Sequence, residues 1–327
     1  MALRYRIAVL IGGTALFAYL LYSIGLDPVV TSFRALSWRL GIIVFFPAIC
    51  LKICDVLAWR CALPRHEVPF SRLLVALVGG QAVSSTTPTG PFGGDAVKIW
   101  MLRDQVSRRD TLASLIVVET TSTASQGLFL LLGVLIARHT LWASTPLLRA
   151  MEWLVFLETL AVAAFVAIQM SGAVAWLQDL LARWGILAGA ERGSAAMHVD
   201  QALVDFYRGQ PRRLALALLW GFVGWILGAF EVWLILSLLG SAVSFDTALV
   251  IEAFGTGISF ATFFLPVQIG VDEGGAVATF LALGLNAGTG LSLVLVRRVR
   301  EATWIAIGFL LLAGKPRPVA VAAEQES

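Results

Sequence analysis

Apolar residues run through this chain in stretches far longer than a soluble helix needs. Segments 7–26, 39–62, 110–137, 151–170, 213–239 and 289–313 each approach or exceed the length that crosses a bilayer, which is about 20 residues for a core of roughly 30 Å. The runs are continuous rather than alternating, so the pattern predicts helices and argues against a β-barrel. Two further stretches, 73–104 and 247–285, are equally apolar but are interrupted near their middles by Gly and Pro. A break facing lipid would strand backbone N–H and C=O groups, so such breaks belong inside protein or against a wet cavity. Re-entrant hairpins are the expected form of both, with kinked spanning helices as the alternative. The prediction is an all-α polytopic membrane protein, one membrane domain over 1–327, with about six spanning helices and two re-entrant segments.

The two interrupted stretches resemble each other. VPFSRLLVALVGGQAVSSTTPTGPFGGDAVKIW and VSFDTALVIEAFGTGISFATFFLPVQIGVDEGGAVATF both open on V-x-F and both break at a proline. An acid follows each proline seven residues on: Asp95 after Pro88, and Glu273 after Pro266. The likeness extends outward, since Asp55 and Glu231 stand in the preceding helices and TLASLIVVE aligns with TGLSLVLVR, placing Glu119 opposite Arg297. Two units of helix, broken hairpin and helix are predicted, over 39–137 and 213–313. They enter the membrane from opposite sides, as the inverted repeats of transporters do. The backbone breaks are Pro88, Gly90, Pro91, Gly93 and Gly94 in the first unit, and Pro266, Gly270 and Gly274 in the second.

Composition agrees with the pattern: 58% of residues are hydrophobic and 14% charged, against about 25% charged in soluble domains. The net charge of +3 says little about partners, but its distribution sets an orientation. Basic residues cluster at 4–6, 60–72, 103–109, 183–212 and 315–317, and placing these inside puts both termini in the cytoplasm. The first apolar stretch has no small-residue cleavage site after it and reads as a retained helix. The connection 171–212 is too polar to span; VAWLQDLLARW suits either an amphipathic helix on the inner surface or an ordinary cytoplasmic helical loop. Cys50 and Cys54 lie one turn apart, with no His or further ligand beside them, so they read as packing residues rather than a metal site.

Ionisable groups within a spanning segment are costly, and this chain keeps many. Lys52 is expected to snorkel to the inner surface, and Glu158 to face a neighbouring helix. The run RRVRE, 297–301, lies well inside the last apolar stretch. Arg stays charged and offers a planar fork of donors that suits carboxylate or phosphate. Arg297, Arg298 and Arg300 therefore pair with Glu119, Glu231 and Glu273, or bind a lipid phosphate, or exchange one for the other. Asp95 and Glu273, placed at helix starts, either cap those helices or face a cavity. The candidate headgroup-binding set is Asp95, Lys98, Glu119, Glu231, Glu273, Arg297, Arg298, Arg300 and Glu301.

Enzyme signatures are missing: there is no G-x-S-x-G, no H-E-x-x-H and no P-loop lysine pattern. The three histidines, His66, His139 and His198, fall in predicted loops. No catalytic residue, metal or cofactor is expected. GGDAVKIWMLR, 93–103, resembles the G-[GE]-D-x-x-R-x-x-L-L-R signature of the lysylphosphatidylglycerol synthase transmembrane-region proteins, also described as flippase-like, with Lys98 where that family commonly has Arg. FFLPVQIGVDEGGAV, 263–277, resembles the family's P-G-G-L-G-x-x-E-G segment, with Val267 and Gln268 replacing two glycines. WILGAFEVWLILSLLG, together with RRVRE, is most similar to the branch associated with hopanoid biosynthesis. The resemblance covers about residues 7–313. It implies a lipid translocase of a bacterial inner membrane, without aminoacyl transfer, moving an anionic, phosphate-bearing or hopanoid-type lipid. The alternative is an accessory protein that binds lipid or a lipid-biosynthetic enzyme without transporting. Expected partners are membrane lipids, such an enzyme and a second copy of the chain, and not nucleic acid.

Overall fold

The computed structural model describes residues 36–63, 68–87, 91–140, 145–170, 192–262 and 270–314. These residues are helical throughout, with no strand among them. In chain order the helices are α1 (Arg39–Ala62), α2 (Phe70–Thr86), α3 (Pro91–Leu102), α4 (Arg108–Thr140), α5 (Thr145–Met170), α6 (Arg192–Gly209), α7 (Pro211–Leu238), α8 (Phe245–Ala261), α9 (Val271–Ala282) and α10 (Ala287–Ala313). The apolar runs thus became single helices, and each interrupted stretch became two. The expected helix 7–26 lies outside the described residues, as do Pro88, Gly90, Pro266, VAWLQDLLARW and both chain ends.

Among the described residues, four helices are long and apolar enough to cross a membrane: Arg39–Ala62, Arg108–His139, Pro146–Met170 and Pro211–Leu238. The expected spanning helix 289–313 also exists, as α10, and is about 40 Å long at 1.5 Å per residue. It is not among the four. Its centre carries Arg297, Arg298, Arg300 and Glu301, too much charge for a helix that meets lipid on all sides.

The helices pack against one another in several pairs. α1 lies along α7; α2 packs on α3 and on α10; α8 packs on α9 and on α4. Glycines bring these elements close. A Cβ on Gly308 of α10 would come within 2.6 Å of the Ala82 Cβ on α2. On the other side, a Cβ on Gly133 of α4 would overlap Ala253 on α8. In membranes, where lipid competes for apolar surface, such small-residue contacts hold helices together by close backbone approach. Polar groups join the helices elsewhere. Trp59 donates to Ser114 Oγ at 3.1 Å between α1 and α4, and Trp304 donates to the Val44 carbonyl at 2.9 Å between α10 and α1.

α6 uses its buried Val199, Leu203 and Phe206, spaced by three and four residues, to seat on Ala62, Ala113 and Val117 at the ends of α1 and α4. This part of the 171–212 connection docks on protein. α5 buries only one narrow stripe, which includes Met151, Glu158 and Gln169, and exposes Trp153, Phe156, Leu160 and Ile168. It is the peripheral helix of the bundle.

Helix starts near the second break are held by side chains. Asn286 Oδ1 accepts from the N–H groups of Gly288 at 2.8 Å and Thr289 at 3.3 Å, capping α10. Asn286→Ala should lower stability by about 1 kcal/mol, read as an earlier midpoint in SDS-induced unfolding, with no change in the apolar packing of α10.

Candidate functional site

Ten residues into α10, about 15 Å from its start by helical rise, the RRVRE run meets three other helices. Arg297 Nη2 lies 2.7 Å from Glu252 Oε2 on α8 and 3.7 Å from Glu231 Oε2 on α7. It also donates to the Gly228 carbonyl at 3.4 Å. Arg300 pairs with the same Glu231 carboxylate. Arg298 turns toward α9, with Nη2 3.1 Å from Asp272 and Nε 3.4 Å from Glu273, and reaches Glu301 at 3.6 Å. Three arginines one to three positions apart necessarily point around the helix, so each finds a different set of acids. Glu231 and Glu273 are almost fully buried at 1% and 2% exposure, and a buried carboxylate persists only with such partners.

Glu273 also caps α9. The Gly270 N–H donates to its Oε2 at 2.7 Å, and Gly270 adopts φ +85, a left-handed geometry that suits glycine. Glu273 thus both caps α9 and pairs with Arg298. Asp95 behaves differently. It lies a full turn inside α3 rather than at its start, and it accepts from Lys98 Nζ at 2.9 Å. The expected capping by Asp95 is therefore corrected: from the second turn a carboxylate cannot reach the free N–H groups.

Beside the arginines lies a cavity of about 550 Å³ bounded by α4, α7, α8, α9 and α10. From α4 it receives Glu119, Ser122, Thr123 and Gln126, a polar stripe at i, i+3, i+4 and i+7 along one face of the helix. Glu252, Asp272, Arg297, Arg298 and Glu301 form the charged wall opposite, with Trp225, Ile251 and Phe260 among the apolar lining. Gln126 is fixed by donating to the Thr256 carbonyl at 3.1 Å. Polar groups converge on an apolar-walled chamber, the usual form of a small-ligand site.

The family described as the lysylphosphatidylglycerol synthase TM region matches residues 5–308. The chain belongs to that family. No curated protein and no solved structure matches the chain. Membership in the lysylphosphatidylglycerol synthase transmembrane-region family ties the protein to the membrane and to lipid handling. The family match extends through both interrupted stretches and RRVRE, so the cavity is built within the matched residues.

Of the residues picked from the sequence, the cavity collects Glu119, Arg297, Arg298 and Glu301. Glu231, Glu273 and Arg300 support that wall through ion pairs. Asp95 and Lys98 do not line it; they pair on the α2–α3 hairpin, where Lys98, Asp95 and Asp55 act electrostatically on Glu119. Two sequence expectations change. Glu119 has no ion pair with an arginine, because Glu252 reaches Arg297 first across Gly228, where a Cβ would sit 2.8 Å from Glu252 Oε1. Lys52 does not snorkel to the surface: it bonds to Gln81 on α2 and lies 4.0 Å from Asp55, its side chain 16% exposed.

Sequence reading passed over Glu252 and Asp272 as site residues, although both are ionisable groups in apolar stretches. It also passed over Ser122, Thr123 and Gln126. Their helical spacing with Glu119 was the available signal. No group of three or more His, Cys, Asp or Glu residues suited to a metal ion occurs among the described residues.

Proposed function

We propose that this protein translocates lipid between membrane leaflets, with the headgroup passing through the cavity bounded by α4, α7, α8, α9 and α10 while the acyl or polycyclic part stays in the bilayer. The observation that carries this reading is the chamber itself: about 550 Å³ of space faced by Glu119, Glu252, Asp272, Arg297, Arg298 and Glu301, with α4 and α7 among its walls long and apolar enough to cross a membrane. Charge buried at that depth is retained at a cost and marks a path or a binding site. Arg298 is the arginine that a headgroup phosphate engages, by displacing Asp272 or Glu301 from its fork. Glu119 and the hydroxyls of Ser122 and Thr123 supply acceptors and donors for the remainder of a phosphate-bearing or hopanoid-type headgroup.

The transport cycle is alternating access between inverted repeats. Two likenesses support a duplication. The equivalent flanking helices α4 and α10 each pack on the first arm of the other unit's hairpin, α8 and α2. Counting eight residues back from Pro88 and Pro266 gives Gly80 and Ile258. Both contact the second arm of their own hairpin, near Gly94 and Gly275 respectively. α2–α3 and α8–α9 are then re-entrant hairpins. The location that fits is a bacterial inner membrane with both termini cytoplasmic, and the resemblance of RRVRE to the hopanoid-associated branch supports a hopanoid-type lipid among the candidates.

Reconstitution into liposomes with a leaflet-specific lipid probe tests this. Wild type is expected to exchange a phosphate-bearing or hopanoid-type probe, and Glu119→Gln to slow it about tenfold, the equivalent of roughly 1.5 kcal/mol from one charge-assisted hydrogen bond. Glu119 has no ion pair to lose, so its unfolding midpoint should stay put. A wild-type protein that binds these lipids but moves none of them would instead be an accessory protein.

A further inference from the structure

Outside the cavity, among the described residues, one carboxylate is fully buried with neither oxygen partnered. This is Glu158 on α5, with 0% exposure. It belongs to the single stripe by which α5 seats on the bundle. Its neighbour across the interface is Gly127 of α4: a Cβ there would stand 3.5 Å from Glu158 Cδ and 3.8 Å from Oε2. A methyl group there would make only an ordinary contact, so the acid lies directly against the α4 backbone without being wedged into it.

Each described helix packed against α5 has been given its charge elsewhere. On α4, Glu119 is two turns away on the cavity side, and Arg138 lies 3.5 Å from Glu152 of α5 near the helix ends. On α6, the Tyr207 hydroxyl donates to Gln169, and Gln201 donates to Asp205. On α8, Glu252 is held by Arg297, and Asp246 lies in the first turn. No charged group acts on Glu158 that registers beside its burial. A carboxylate anion with no donor, no cation and no water contact is not sustained in such a place, whereas a protonated acid is.

We infer that Glu158 is an intramembrane proton-binding site, protonated while α5 is seated on α4, whose proton exchange is linked to movement of lipid through the neighbouring cavity. The proton binds a carboxylate oxygen and leaves as α5 lifts; no other bond is made or broken. The link to the cavity is anatomical. Thr123 and Gln126, which line it, stand four residues and one residue before Gly127 on α4, so a single turn of one helix separates the acid from the chamber. Opening of the α4–α5 seam at Gly127 gives Glu158 its route to water and to the cavity. Ionisation then opposes reseating until a proton returns, making α5 a two-position element with protonation as its bias.

The proton site itself stands without the translocase reading, while the coupling rests on it, and two measurements separate them. The first is a pH-difference infrared spectrum of the full-length protein in lipid. Wild type is expected to show a protonated-carboxyl C=O band that disappears in Glu158→Gln and moves in Glu158→Asp. Loss of the band in Glu158→Gln without the shift in Glu158→Asp still places the proton there, whereas a band unchanged in both variants overturns the site. The second imposes a pH gradient on proteoliposomes carrying the lipid probe. One proton coupled per lipid displaces the steady-state leaflet ratio about tenfold per pH unit, and Glu158→Gln should abolish this response. A lost band with an undiminished gradient response overturns the coupling and leaves the proton site; absence of any probe movement, with the band lost, removes the translocase reading and the coupling with it.

Discussion

Arg297→Ala should destabilise the protein by about 3–5 kcal/mol, the largest loss expected from any single charge in the molecule. The guanidinium neutralises Glu252 at 2.7 Å and shares Glu231 at 3.7 Å with Arg300. Those carboxylate side chains are 9% and 1% exposed. Removing the arginine leaves Glu252 without a cation and Glu231 with one in place of two. Water cannot compensate at that depth. Taking both members away costs less than taking one, because the penalty is the stranded charge rather than the lost attraction. Arg297→Met combined with Glu252→Met should therefore recover much of the stability lost in Arg297→Met alone. SDS-induced unfolding of the purified protein in mixed micelles reads both. A single variant within about 1 kcal/mol of wild type would mean that Glu252 is already neutral, and that the wall of the cavity is not an ion-pair network.

That network also shows what the sequence could reveal and what it could not. Helix positions followed from hydrophobic runs and glycine–proline breaks, because a membrane demands continuous apolar helices and tolerates breaks only within protein. The expected segments 39–62, 151–170 and 289–313 therefore fall close to α1, α5 and α10. The importance of RRVRE was equally visible, as an expensive cluster in the wrong solvent. Its partners were not. The sequence likeness set Glu119 opposite Arg297 as equivalent positions and invited a pairing, but contact depends on the rotation of each helix and on what stands between them. Gly228 on α7 opens the space through which Glu252 meets Arg297, and nothing in the local sequence marks that gap. Asp272 was hidden by its neighbour Glu273, which matched the motif, yet both bind Arg298. In the same way, Lys52 looked free to extend along its helix until α2 supplied Gln81.

Gly94→Ala should break the α2–α3 hairpin, with a stability loss of at least about 1–3 kcal/mol. The glycine motif that interrupts the first apolar stretch is needed here for closeness rather than for turning. Gly94 lies within α3, and its φ is not among the positive values, which fall at Gly240, Gly270 and Gly284. Alanine suits a helix interior better than glycine does, by roughly 0.5–1 kcal/mol, so conformation alone predicts a gain. Packing reverses that. A Cβ at position 94 would overlap both Ser84 Oγ and the Gly80 carbonyl on α2, and a Cβ at Gly80 would fall 2.8 Å from Lys98 Cγ. One of those obstacles is backbone, which cannot rotate away, so the two arms must separate. Separation would loosen the half-buried Asp95–Lys98 pair, carried on the same turn of α3, and with it the charge that acts on Glu119. Gly224→Ala is the matched comparison: it is also inside a long helix, with Cys54 Cβ at an ordinary 3.8 Å from the added carbon, and it should gain the conformational term without the collision. Opposite shifts in the SDS midpoint for the two variants would establish that the arms touch backbone to backbone. Equal shifts would mean that they stand apart, and that the glycines of this motif serve the break alone.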